Sequence, residues 1–411
     1  MAHASSHISV RSAGLVVDEQ GRTTAPLHVA IIVHSLNHNN IGRVYPFLRA
    51  FVGSPDVRLR LIGWDESGSL FPLLNQLPWP ITRLRGAMTG AAAHRALSNA
   101  VNGCDLVHCF KNRAHAITAL AVAQAHALPL IMDLDDWELG LYLEGITRWP
   151  RWRQVLWGGP ITRRISEALY LEQLARAAPA GLLVNSSALQ AHFGGAIAYT
   201  AADPVAFDPQ RADGVAFRRA HAIPDQVPVI GFLGTPHPHK GIDDLLAAFA
   251  TIQRVRPEAR LLFVGVPSRN PYHARLRHSP GVTAIGYIED HAYPAAYAAS
   301  DIIVIPQRPV TEGIMQTPAK LILSMAMGRP IVATNVGDIP LVLGDTGIYV
   351  PPEDPATLAT TLVDLLDAPE ERAQRGASAR AHFLAHFTLE HLRNQVLTLY
   401  TQACQKQTRD T

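Results

Sequence analysis

Short apolar runs bounded by turn-forming residues recur along the whole chain. Leu27 to Val33 opens the series, followed by Val57 to Ile62, Ile81 to Leu84, Asp105 to Cys109, Pro129 to Met132 and Gly181 to Val184. A second series runs through Val229 to Leu233, Arg260 to Val264, Val282 to Ile285, Ile302 to Ile305, Ile331 to Ala333 and Gly347 to Val350. Runs this short and this continuously apolar fit strands covered on both faces, as in parallel sheets. Between them lie helical patterns, alanine-rich at Ala114 to Ala127 and amphipathic at Ile242 to Val255. Such alternation predicts two doubly wound α/β domains. The proline-punctuated stretch Ala201 to Pro209 separates the two series. We therefore expect a leader over 1–26, a first domain over 27–209, a second over 210–385 and a last helix with tail over 386–411. That helix has an apolar stripe at Leu389, Leu392, Val396, Leu397 and Tyr400.

The segment Thr317 to Pro340 carries the sharpest local signals. Thr317 suits an N-cap, Pro318 the first helical position, and Gly328 followed by Arg329-Pro330 a helix stop. The preceding loop, Gln307 to Gln316, leaves a strand's carboxyl end, where doubly wound sheets bind ligands. A helix N-terminus there favours an anion. Lys320 opposes the helix dipole unless both share that anion; the other reading is a solvated lysine paired with Glu312.

Composition narrows the function classes. With 411 residues, 48% hydrophobic and 17% charged, the chain has enough apolar material for about two cores, and a net charge of +2 implies no general polyanion partner. Of 36 basic residues only four are lysines, Lys111, Lys240, Lys320 and Lys406. Three cysteines without C-x-x-C spacing suggest neither a disulfide framework nor a zinc site. No apolar run reaches the roughly 20 residues that span a bilayer.

Taken in order, Gly231-Phe-Leu-Gly234, Lys240-Gly241, Gly286-Tyr-Ile, Tyr297-Ala-Ala-Ser-Asp301, Pro318-Ala-Lys320, Met325-Ala-Met-Gly328, Arg329 to Thr334 and Gly337-Asp-Ile-Pro340 resemble family 4 glycosyltransferases of the GT-B architecture. The resemblance covers most of the second half. It implies two Rossmann-like domains facing a cleft, with the C-terminal helix returning to the first. It further implies a nucleotide-diphosphate sugar donor on the second domain, an acceptor (glycan, lipid-linked or small molecule) on the first, no metal or other cofactor, retention of configuration and a cytoplasmic location.

Residue by residue, the resemblance assigns the diphosphate to Gly234, Thr235 and Lys240 in one turn and to Gln316, Thr317, Pro318 and Lys320 in another. Gly42, in the polar loop His34 to Arg43, stands in the glycine-rich turn near the donor. Asp135 falls where many members place a sugar-contacting histidine, which makes Asp135, Lys240 and Lys320 the catalytic candidates; helix-capping carboxylates are the alternative for the Asp133, Asp135, Asp136 run. Two departures stand out. Thr235 or Pro236 replaces an arginine, and Leu323 and Met315 occupy the places of a glutamate pair, leaving Glu312 as the nearest acid for the ribose. A degenerate, non-catalytic binding or assembly protein is the alternative these departures support.

Four of the six tryptophans, Trp137, Trp149, Trp152 and Trp157, interleave with Arg148, Arg151, Arg153, Arg163 and Arg164. Mixed aromatic and cationic side chains over 144–174 suit anionic headgroups at the inner face of a membrane, a polar acceptor, or plain packing on the first domain. No basic field elsewhere supports nucleic acid.

Overall fold

The computed structural model describes residues 25–37, 41–147, 158–177 and 179–410. Most of the leader and Trp149, Trp152, Trp157, Arg148, Arg151 and Arg153 therefore lie outside the described residues. So do the side chains of Arg163 and Arg164.

The first sheet contains β1 (Leu27–Val33), β2 (Val57–Trp64), β3 (Ile81–Leu84), β4 (Leu106–Phe110), β5 (Leu130–Leu134), β6 (Gly181–Val184) and β7 (Ala196–Ile197), in the order β3-β2-β1-β4-β5-β6-β7. The second contains β8 (Val229–Leu233), β9 (Arg260–Val264), β10 (Val282–Ile285), β11 (Ile302–Ile305), β12 (Ile331–Thr334) and β13 (Ile348–Val350), in the order β10-β9-β8-β11-β12-β13. Every pairing is parallel. Helices cover both faces of each sheet, so each domain has two apolar layers, which is why its strands read as unbroken apolar runs.

Strand order reverses beside β1 in one sheet and beside β8 in the other, and the helix after β1 and the turn after β8 open on one cleft. The expected polar loop after β1 is shorter than read. A helix begins at Ile41 (Ile41–Ala50), so Gly42 lies in a first helical turn, with open space where a Cβ would stand. At β8, Asp301 accepts from Val229 N (2.7 Å) and Arg218 (2.9 Å), which pins the strand's start and accounts structurally for one of the family-like motifs.

The last helix, Leu389–Asp410, lies on the first domain beside helix Ile41–Ala50. Tyr400 on it meets His108 Nδ1 at 2.7 Å inside the core. Burial and the Arg43 charge push His108 down to about 3, so it sits there as neutral imidazole. The chain crosses between domains twice, and the crossings touch: Ala202 bridges Thr388, with Ala202 N on Phe387 O and Leu389 N on Ala202 O, both 3.1 Å.

Arg43 joins the first helix to the end of β5, its Nε and Nη2 each 3.0 Å from an Asp133 oxygen. Both groups are buried, at 9% and 0% exposure. Burial raises the Asp133 carboxyl to about 6 even with Arg43 in place. Removing one partner of such a pair strands the other charge, at about 3–5 kcal/mol. Arg43→Met should lower the urea midpoint accordingly, and adding Asp133→Leu should recover most of it. Because the folded-state value lies above the unfolded one, protonation favours the folded state. The single variant's deficit should therefore shrink as pH falls from 7 toward 5.

Candidate functional site

Helix Ala319–Ala326 starts one residue later than the sequence suggests. Pro318 is extended (ψ 123°) and is itself the N-cap, so no side chain caps the helix. The Thr317 hydroxyl, expected to cap, is buried without a hydrogen-bond partner. Lys320, in the first turn, is buried rather than solvated. Its Nζ lies 3.4 Å from the centroid of the Phe232 ring on β8 and makes no hydrogen bond.

The turn after β8 approaches from the other side. Gly234 (φ 125°) leaves the strand, and Gly241 (φ 66°) closes the turn where a Cβ would run into the Pro306 carbonyl oxygen. Lys240 Nζ donates to Thr235 O at 2.9 Å, and Thr235 Oγ1 is 3.2 Å from Tyr287 OH. Burial lowers Lys240 to about 8, and burial together with the Lys240 charge holds Lys320 well below the usual lysine range. Among the described residues neither lysine has an acidic partner. A lysine amine held down by burial and by a second lysine's charge, with no anion between them, is the electrostatic mark of an anion site.

The acidic run after β5 divides. Asp133 takes Arg43, while Lys111 Nζ stands 2.7 Å from both Asp135 and Asp136. Repulsion among the three carboxylates is secondary: burial is the first cause at all three, and Lys111 pulls Asp136 back below the carboxylate norm. Asp135, the catalytic candidate, is half of an ion pair and is not among the walls of the interdomain cavity. Asp136 also accepts from Gln316 Nε2, so a predicted phosphate-loop residue bridges the domains instead. Gln307 braces the same loop by donating to Gly313 O and Gln316 O.

A cavity of about 330 Å³ lies between the domains. Gly42, Gly234, Lys320 and Leu323 line it, which brings three predicted residues and the substituted glutamate position to one space. Its acidic side chains are Asp203, held by Arg49 at 2.8 Å, and Asp290. Glu312, named for the ribose, is not among its walls; it sits on helix Thr311–Met315, against the Pro238–Lys240 turn. Met315 turns toward the first domain, where its carbonyl accepts from Ser186 Oγ at 2.7 Å.

Sequence reasoning missed Lys111, Arg43 and Asp338. Lys111 carried a signal, being one of four lysines and directly following an apolar run. Asp338 carried only its place in the motif Gly337-Asp-Ile-Pro340, which gives no hint of its partners. It is 1% exposed and accepts from Ser187 N (2.7 Å), Ser187 Oγ and Tyr199 OH (2.8 Å), latching the domains together. Among the described residues no group of three or more His, Cys, Asp or Glu side chains is placed to hold a metal ion.

Residues 227–368 match the family model described as glycosyl transferases group 1. The chain is 29% identical over 261 residues to a D-inositol 3-phosphate glycosyltransferase of Stackebrandtia nassauensis, covering 60% of this chain and 54% of that protein. It is 32% identical over 186 residues to a GDP-mannose-dependent monoacylated alpha-(1-6)-phosphatidylinositol monomannoside mannosyltransferase of Corynebacterium glutamicum, covering 43% and 48%. The chain thus spans about half the length of the curated relatives it matches. Among solved structures, Anabaena HepE in complex with UDP and glucose superimposes with a TM-score of 0.71 at 16% identity, over 91% of this chain and 99% of that one. WaaG, a glycosyltransferase involved in lipopolysaccharide biosynthesis, gives 0.63 at 15%, over 91% and 99%. The whole described fold is therefore the two-domain GT-B arrangement.

The latch has a measurable consequence. Asp338→Ala removes three acceptor contacts from the domain boundary, each worth about 0.5–1.5 kcal/mol. Hydrogen exchange at 186–189 should accelerate and the scattering radius should grow, while strand amides in β1 and β8 stay protected.

Proposed function

We propose that this chain, whose second domain matches the group 1 glycosyl transferases, moves a sugar from a nucleoside-diphosphate sugar to an acceptor hydroxyl on a glycan, lipid-linked or small-molecule partner. The observation that supports this most directly is the pair Lys240, half-buried, and Lys320, buried and lining an open interdomain cavity, neither with an acidic partner among the described residues. A pocket filled by its own side chains would have favoured the non-catalytic alternative.

In this reading the diphosphate lies between Lys240, Lys320 and the free amides of helix Ala319–Ala326, while the sugar faces Asp135. As the bond from sugar to diphosphate breaks, charge gathers on the phosphate oxygen, and the two lysines hold it with no metal required. Their positions are fixed beforehand by Thr235 O and the Phe232 ring. The acceptor binds on the first domain, and the product retains the donor's configuration. Leu323 gives the ribose an apolar wall in place of a carboxylate, which weakens nucleotide binding without preventing it.

Exposed Tyr142, Leu143, Leu169 and Tyr170 (54% exposed) lie on the two helices that flank 148–157. Among the described residues no helix is long and apolar enough to cross a membrane. We read this patch, with the arginines of 144–174, as a peripheral contact for an anionic membrane.

Three measurements test these readings. A panel of labelled nucleotide sugars should show nucleotide release with at least one donor. In calorimetry, Lys240→Ala or Lys320→Ala should each weaken binding of that donor's nucleoside diphosphate by about 1.5–3 kcal/mol. Lys240 titrates near 8 in the empty site and its charged form is the one that binds, so affinity should fall as pH rises through 8. For the membrane contact, sedimentation with anionic vesicles should fall with salt and with Leu169→Ser/Tyr170→Ser; equal sedimentation with neutral vesicles would return the patch to packing.

A further inference from the structure

The turn Gly234 to Gly241 carries two histidines that neither its closure nor the lysine pair requires. Their rings stack, with centroids 5.4 Å apart and planes within 11°. His237 is exposed, whereas His239 Nε2 is sealed from solvent and has no hydrogen-bond partner. Buried polar atoms in this state are few in folded proteins, and each calls for a ligand or water. The backbone around it is fixed, because Arg308 N donates to His239 O at 2.8 Å.

The surroundings say what kind of ligand. Lys240, His237, Lys320 and, from the first domain, Asp136 all act on the His239 charge. Asp136 is itself engaged by Lys111 and Gln316. On the following helix, Asp243 holds Tyr272 and Arg275, and Asp244 holds Arg308. Glu312 lies on helix Thr311–Met315, which packs against the turn. His239 therefore stands among cations, with the aspartates in reach already committed. Burial, then Lys240, lowers it to about 3, so in the empty cleft it is a neutral imidazole with a hydrogen-bonding nitrogen to spare.

We propose that His239 is a further ligand of the donor diphosphate, its Nε2–H donating to a phosphate oxygen held between Lys240 and Lys320. The assignment rests on the donor reading above. No bond forms to the histidine. The bond between the anomeric carbon and the diphosphate oxygen breaks with its electron pair left on that oxygen, and the acceptor oxygen bonds to the anomeric carbon. The acceptor's proton passes to the departing diphosphate, and the His239 hydrogen bond strengthens as the phosphate charge rises.

The test uses UDP and GDP with the matching nucleosides, uridine and guanosine, on wild type, His239→Leu, His239→Ala and His239→Gln, with thermal melts identifying any variant that fails to fold. Leucine, or alanine if leucine does not fold, should weaken the bound diphosphate about tenfold or more and leave the nucleoside unchanged. Glutamine places an amide N–H near the Nε2 position and should return binding to within about threefold of wild type. The proposal is overturned if the leucine or alanine variant binds diphosphate as wild type does. It is equally overturned if nucleoside and diphosphate weaken together, or if folded glutamine variant fails as leucine does. Wild type that binds neither diphosphate would sink the donor reading itself, before any variant is compared.

Discussion

Two lysine amines held near one another, Lys320 buried and Lys240 half-buried, with no carboxylate paired to either among the described residues, are the constraint around which the second domain is arranged. Like charges there cost stability, and a lysine with no partner sheds its proton when burial is deep enough. The chain bears this by giving each lysine a neutral host, a carbonyl for Lys240 and an aromatic face for Lys320. Neither host neutralises the charge, so the site keeps an affinity for anions that a salt bridge would have consumed.

The carboxylates that such lysines would ordinarily attract are tied up nearby. Asp244 grips Arg308 through two 2.7 Å contacts, and Asp135 and Asp136 share Lys111. Each of these pairs does local structural work, bracing the loop before helix Ala319–Ala326 or the end of β5. Together they leave Lys240 and Lys320 without an acidic partner among the described residues, although the whole chain is close to neutral. Net charge is thus a poor guide to this site.

The strands were legible in the sequence for one reason: both faces are covered, so periodicity reduces to plain apolar runs between turns. β7 escaped because two residues, Ala196–Ile197, make no run at all. The helix at Ile41 escaped because Pro46 sits inside it and its first turn reads as loop. Thr317 looked like a cap, yet the proline after it takes an extended conformation and moves the helix start forward. The lysine pair was visible as rare residues at the right loops. Arg43 with Asp133, Gln316 with Asp136, and Asp338 with Ser187 and Tyr199 join positions 90 to 180 residues apart, and nothing local announces which partner a polar side chain will find.

The double crossing between the domains limits how they can move. A single linker would act as a swivel, letting one lobe twist as well as tilt. Here two chain segments run side by side and are stitched by Ala202, Phe387 and Leu389. A ribbon of two strands bends across its flat face far more readily than it twists, so the lobes should open and shut like the covers of a book. Motion of that kind returns the two lobes to the same separation on every closure, so whatever the first domain holds meets the anion site of the second in the same place each time.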